Sequence, residues 1–159
     1  MNTSLKKLIE KLIDKKYTIS TMESCTGGGL ANAITNIEGS SDVFKYGAVT
    51  YSNEYKIKMG VSKAIIDEYS VYSKEVAREM SKNISLFTFS DYGIGITGKL
   101  NKEDKNNLFG DDNTVFISIY SRSEDKFYDY KFIASCETRS KNKDSIVNFI
   151  VSELLKILK

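Results

Sequence analysis

Apolar residues recur at two periods along the chain, and the switches between them divide it into alternating helices and strands. Leu5, Leu8, Ile9, Leu12 and Ile13 fall at helical spacing, which predicts an amphipathic helix over residues 3–16. A β-rich run then predicts a strand over residues 17–23, followed by a helix over residues 27–35 that starts at a glycine turn. Residues 36–41 read as a loop, with Gly39-Ser40-Ser41 as its turn chemistry. Residues 44–51 read as a strand, and residues 53–59 and 62–69 as two short helices. Ser73 is placed to cap a longer helix that buries Val76, Ala77, Met80, Ile84 and Phe87.

Residues 91–97 form a short buried-strand pattern, Tyr-Gly-Ile-Gly-Ile-Thr after an aspartate, whose glycines imply close backbone packing. Residues 99–112 are polar and charged, as a long loop requires. Residues 114–120 and 127–134 are the clearest strands, joined as a hairpin through residues 121–126. A last helix over residues 139–158 turns Val147, Ile150, Leu154 and Ile157 inward. Helices and strands mix, with an antiparallel pair late, so the pattern predicts a layered α/β or α+β class. No repeat, linker or composition break divides residues 1–159, which predicts a single domain.

Charge narrows the partners. Lys and Arg total 23 against 21 Asp and Glu, and they are interspersed, so no nucleic-acid surface is expected. No apolar run approaches membrane-spanning length, and the lysine-rich N-terminal stretch has no signal-peptide core. A soluble cytoplasmic protein is therefore expected, with Cys25 and Cys136 as reduced thiols. The chain contains no histidine, which excludes Ser-His and Cys-His pairs and, with only two cysteines, disfavours a zinc site. Neither metal nor cofactor is expected. If catalysis occurs, lysine, tyrosine or a carboxylate must move the protons.

Chemistry concentrates at Glu23-Ser24-Cys25-Thr26-Gly27-Gly28, where a strand pattern passes into a helix. Ser24 there is either a turn-capping serine or a nucleophile. The backbone of Thr26, Gly27 and Gly28 is suited to hold an anion or an oxyanion, because glycines admit close approach. Alternation points Cys25 away from Ser24, as a small buried residue. Lys56 lies one turn into a helix after a second strand, in Tyr51-Ser52-Asn53-Glu54-Tyr55-Lys56. It is a solvated surface lysine or, if desolvated over the strand end, a base. Tyr51 reads as a packed aromatic when taken alone. Thr97-Gly98 ends a third strand. Arg139 opens the last helix with Lys143 one turn on, as a solvated charge or a phosphate clamp. Strand ends facing one crevice are where α/β proteins bind ligands.

Taken together these segments resemble the CinA C-terminal domain family, the nicotinamide-nucleotide amidohydrolases or NMN deamidases. The ESCTGG turn is matched at residues 23–28, the GSS-x-x-F loop by Gly39-Ser40-Ser41 and Phe44, and YSNExK by Tyr51, Ser52, Asn53, Glu54 and Lys56. A VSxEVAxEM helix is similar to residues 72–80, and ITG to Ile96-Thr97-Gly98. The resemblance implies a three-layer α/β/α fold with a mixed sheet. It also implies hydrolysis of nicotinamide mononucleotide (NMN) to nicotinate mononucleotide and ammonia, without metal, by a homo-oligomer. In that family's pattern Ser24 falls on the nucleophile, Lys56 on its base and Tyr51 on an assisting tyrosine. Ser41, Thr97 and Arg139 fall on substrate-holding positions, Arg139 through a phosphate.

One segment departs from the pattern. After ITG the family continues with a Gly-Pro-rich AGPxGG loop and KPVGTV, whereas residues 99–113 here have no proline and one glycine, with Asn113 before Thr114-Val115. A polar segment of this kind is expected to cover a pocket less closely and to slow hydrolysis. The departure supports a competing reading: a weakly active or inactive homologue that binds a nucleotide or a partner protein.

Overall fold

The computed structural model describes residues 2–101 and 112–159. In chain order the elements are α1 (Asn2–Lys15), β1 (Ile19–Glu23), α2 (Gly29–Thr35), β2 (Phe44–Val49), α3 (Asn53–Lys58) and α4 (Lys63–Tyr69). Then follow α5 (Lys74–Thr88), β3 (Tyr92–Gly98), β4 (Thr114–Ser121), β5 (Lys126–Ile133) and α6 (Arg139–Ile157). Among the described residues the strands form one sheet in the order β2-β1-β3-β4-β5. β1 runs parallel to both β2 and β3, while β4 is antiparallel to β3 and β5. The sheet is mixed, as expected.

Helices α1, α2 and α6 pack together on one face, where Leu8, Leu12, Leu30, Ile34, Ile150 and Leu154 join Ile94, Ile117 and Ile119 in the larger core. Helices α4 and α5 cover the other face, where Val76, Met80 and Ile84 enclose Met22. This is a three-layer α/β/α arrangement. Interior strand β1 is buried along its whole length, so polar groups on it must be satisfied internally. Helix α5 approaches the sheet closely because β3 has glycines where it crosses. A Cβ at Gly93 or Gly95 would collide with the Ser81 or Ala77 carbonyl. No helix among the described residues is long and apolar enough to cross a membrane.

Local differences from the sequence pattern have physical causes. Tyr17 precedes β1, because its N–H donates to the Leu12 carbonyl (2.9 Å) and finishes the α1 turn. Helix α2 starts at Gly29 rather than Gly27, since Gly27 and Gly28 are both left-handed (φ 59° and 90°). Phe87 was expected in the core but is 67% exposed. Its angular position on α5 is the apolar one, yet its ring partner among the described residues is Tyr46 of edge strand β2, 5.4 Å between centroids. Of the polar segment 99–112, residues 102–111 lie outside the described residues. Its stems are described: Asn101 N–H donates to Asn113 Oδ1 (2.7 Å), and Asn142 Nδ2 to Asn101 Oδ1 (2.6 Å). Asn113 has φ 62°, a left-handed conformation that asparagine enters more readily than other side chains.

Candidate active site

Three parallel strands deliver their carboxyl ends to one place. Glu23 is in register with Val49 of β2 and Ile96 of β3. Just beyond, Ser24 N–H donates to the Ile96 carbonyl (3.0 Å) and Thr50 N–H to the Glu23 carbonyl (2.9 Å). The backbone of Ser24 is thereby fixed between its neighbours. Helix α3 begins shortly after Thr50, with the Ser52 hydroxyl accepting from Tyr55 N–H as its cap. One turn later the helix sends Lys56 back over the strand ends. Lys56 is 2% exposed and Ser24 7%, and Lys56 Nζ donates to Ser24 Oγ across 3.0 Å. The Thr50 carbonyl accepts from the same amine at 2.8 Å, which sets its orientation. The Thr50 hydroxyl itself is buried without a hydrogen-bond partner among the described residues.

The turn after Ser24 is held from beneath by Glu23. Its buried carboxylate accepts from Thr26 Oγ1 (2.7 Å) and from the N–H groups of Leu30 (2.9 Å) and Ala31 (3.0 Å). Gly27 N–H donates to the Ser24 carbonyl and Gly29 N–H to that of Thr26. The N–H groups of Thr26 and Gly28 donate to no group among the described residues. Thr26 therefore has its hydroxyl engaged and its N–H open. A serine oxygen, an adjacent amine and open amides are the parts needed for attack on a carbonyl and for holding the resulting oxyanion.

The other expected residues divide. Tyr51 is 62% exposed, and its hydroxyl accepts from Arg139 Nη2 (3.1 Å). The Arg139 Nη1 also donates to the Leu100 carbonyl. Thr97, beside Ser24 at the end of β3, directs its hydroxyl to the Val71 carbonyl (2.9 Å). Ser41 is not brought here. It lies in a short 3-10 turn, Ser40–Asp42, before the first residue of β2, and that end of β2 is in register with the start of β1. Within one chain Ser41 is at the opposite end of the sheet from Ser24.

Cys25 faces the larger core and has a neutral thiol. Burial pushes its pKa up to about 12, against the opposing pull of Lys56. Cys136 is partly exposed, with Sγ 3.4 Å from Ser145 Oγ, and both cysteines are free. Thiolates are the reactive form, so iodoacetamide at mildly alkaline pH is expected to label Cys136 and spare Cys25 in the folded protein. Peptide mass spectrometry checks this; equal labelling of both would place Cys25 outside the core.

Sequence reasoning missed three contributors. Glu23 stood in a motif, but its buttressing of the turn was not inferred, although a carboxylate inside a buried β-run is a signal. The Thr50 carbonyl acts through main chain, which leaves no trace in residue type. Lys143 was noted beside Arg139, yet its amine lies against the turn: a side chain at Gly27 would come within 3.3 Å of Lys143 Nζ.

Comparison with known proteins adds kinship. The model of the CinA C-terminal domain family matches residues 1–158. A Clostridium perfringens protein named as competence-damage inducible is 48% identical over 97 residues, covering 60% of this chain and 24% of that protein. One of the same name from Clostridium kluyveri is 44% identical over 116 residues, 72% of this chain and 28% of that one. The chain thus spans about a quarter of the length of these curated relatives. Among solved structures, a competence or damage-inducible protein from Enterobacter asburiae superposes with TM-score 0.91 at 26% identity, covering 99% of this chain and 98% of the other. A CinA superfamily protein from Escherichia coli gives 0.89 at 26%, covering 98% and 89%.

Proposed function

The chain belongs to the CinA C-terminal domain family, and from the Ser24–Lys56 contact on that scaffold we propose that it is an amidohydrolase converting NMN to nicotinate mononucleotide and ammonia. The observation that carries the reading is the buried amine 3.0 Å from a buried serine oxygen. In its neutral form Lys56 accepts the Ser24 proton as Oγ attacks the carboxamide carbon. The oxyanion that forms is held by the open N–H of Thr26 in the turn after Ser24. The Lys56 ammonium then returns the proton to the departing nitrogen, and ammonia leaves an ester on Ser24. Water attacks that ester with Lys56 again as base, which frees Ser24 and the carboxylate. Thr50 holds the amine in place through both steps.

Arg139 joins Tyr51 to the segment at Leu100, and it brings a cation and a phenol to the crevice rim. Both suit a charged, aromatic nucleotide. A second reading, a nucleotide-binding homologue with little turnover, is favoured by the residues 99–113 that lack the family's Gly-Pro loop. Ammonia and nicotinate mononucleotide released from NMN by the purified chain separate the two. Release is expected, unchanged by EDTA, because the proposed steps use only the Ser24 hydroxyl, the Lys56 amine and water. NMN binding without ammonia would favour the second reading.

A further inference from the structure

Resting on the serine–lysine hydrolysis proposed above, we infer that the Thr50 hydroxyl holds the water that attacks the Ser24 ester, beside the Lys56 amine that deprotonates it. Among the described residues three buried side-chain oxygens have no hydrogen-bond partner: Thr21 Oγ1, Thr50 Oγ1 and Asp129 Oδ1. Thr21 lies inside β1 against Gly47, where an added Cβ would collide with its oxygen. Asp129 is engaged by Arg78 through its other oxygen. Thr50 alone of the three stands at the strand ends where Ser24 and Lys56 meet, and it is 2% exposed. A buried hydroxyl left unpaired costs stability, so its place beside the reacting pair points to a ligand.

Strand register sets Thr50 next to Ser24. Glu23 pairs with Val49, and Thr50 N–H donates to the Glu23 carbonyl (2.9 Å), so the two residues leave the sheet side by side. Alternation gives them the same face. Met22 and Ala48 belong to the α5-side core, Cys25 belongs to the α6-side core, and Val49 lies against Gly28 ahead of α2. Ser24 and Thr50 therefore both return to the α5 side. The Thr50 carbonyl already fixes the Lys56 amine at 2.8 Å, and that amine faces Ser24 Oγ at 3.0 Å. Once Ser24 carries the acyl group, the same amine has a water to deprotonate instead. One water O–H donates to neutral Lys56 Nζ and the other to Thr50 Oγ1, which leaves an oxygen lone pair for the acyl carbon. Attack forms the new C–O bond while Lys56 takes the first proton. The bond from carbon to Ser24 Oγ then breaks, and the Lys56 proton returns to Ser24.

Thr50→Val tests this in the full chain, because it removes the hydroxyl at similar volume and keeps the carbonyl that holds Lys56. With NMN, kcat is expected to fall about tenfold or more and KM to fall with it. Their ratio, which reports acylation alone, should stay nearly unchanged. Intact-mass spectrometry after acid quench should then find the acyl ester accumulated on Ser24. Thr50→Ser should retain most of the turnover. The urea midpoint of Thr50→Val should equal or exceed that of the wild type, since no internal hydrogen bond is lost. A lower midpoint, or a loss of kcat/KM as large as that of kcat, would give the hydroxyl a structural part and overturn the inference. p-Nitrophenyl acetate separates this inference from the choice of substrate. A chain inert to NMN whose Ser24 is acetylated by that ester, with Thr50→Val slowing only deacetylation, would uphold the water site and remove the NMN reading. NMN hydrolysis with unchanged kcat and no trapped ester in Thr50→Val would do the reverse. A Ser24 that neither compound acylates overturns both.

Discussion

Ser24→Ala is expected to lower kcat/KM for NMN by about 10⁴-fold or more, and Lys56→Met to bring it to the same floor. The two side chains form one unit: the Lys56 amine is 3.0 Å from the oxygen it must deprotonate, and both are buried. A serine without a base and a base without a serine are equally disabled. The double variant should therefore be no slower than either single one. Methionine keeps the length and apolar stem of Lys56, so the reading is chemical rather than steric. A cooperative thermal melt of each variant confirms that the fold survives. Retention of more than about a tenth of wild-type turnover by Lys56→Met would sink the serine–lysine mechanism. In that case Tyr51, the remaining phenol at the rim, becomes the candidate for proton transfer.

Glu23→Ala should destabilise the chain by about 3–5 kcal/mol, a large part of the stability of an ordinary domain. The carboxylate accepts three hydrogen bonds, from Thr26 Oγ1 and the N–H groups of Leu30 and Ala31. Alanine leaves the Thr26 and Leu30 donors buried and unsatisfied and the part-buried Ala31 N–H without its acceptor, and the first turn of α2 loses its only side-chain acceptor among the described residues. Glu23→Gln keeps one oxygen but introduces an amide that cannot accept, so a smaller loss of roughly 1–3 kcal/mol is expected. Urea unfolding measures both. Activity should fall along with stability, because the turn that orients Ser24 and the open amides is the one Glu23 supports. A Glu23→Ala variant within about 1 kcal/mol of wild type would show that the turn holds its shape without the carboxylate.

These expectations differ in how far the sequence alone carried them. The helix and strand order was legible because periodicity at 3.6 and 2 residues is local. The glycines of β3 implied close backbone packing, and the structure shows that α5 is what Gly93 and Gly95 admit. Phe87 misled for a related reason: angular position on a helix is local, but what stands opposite is not. Only the edge position of β2 leaves that ring over solvent.

The Glu23–Gly28 turn and Lys56 were nameable as candidates from their places after strand patterns. Their contact was not derivable from spacing, since residues 32 apart meet only when β1 and β2 pair in parallel and α3 folds back. Pairing also decided against Ser41 within one chain. The register that sets Ile19 beside Phe44 sends Ser41 to the far end of the sheet. Likewise Arg139 read as a solvated charge or a phosphate clamp, and only the fold placed Leu100 and Tyr51 within its reach. The sequence by itself determined which chemistry is available: a chain without histidine, with a serine turn, a lysine one turn into a helix, and cations opening its last helix. Tertiary structure alone decided which of these groups are desolvated together and which are held apart. The reason is that burial and hydrogen-bond geometry depend on strand register and on layers packed from distant parts of the chain.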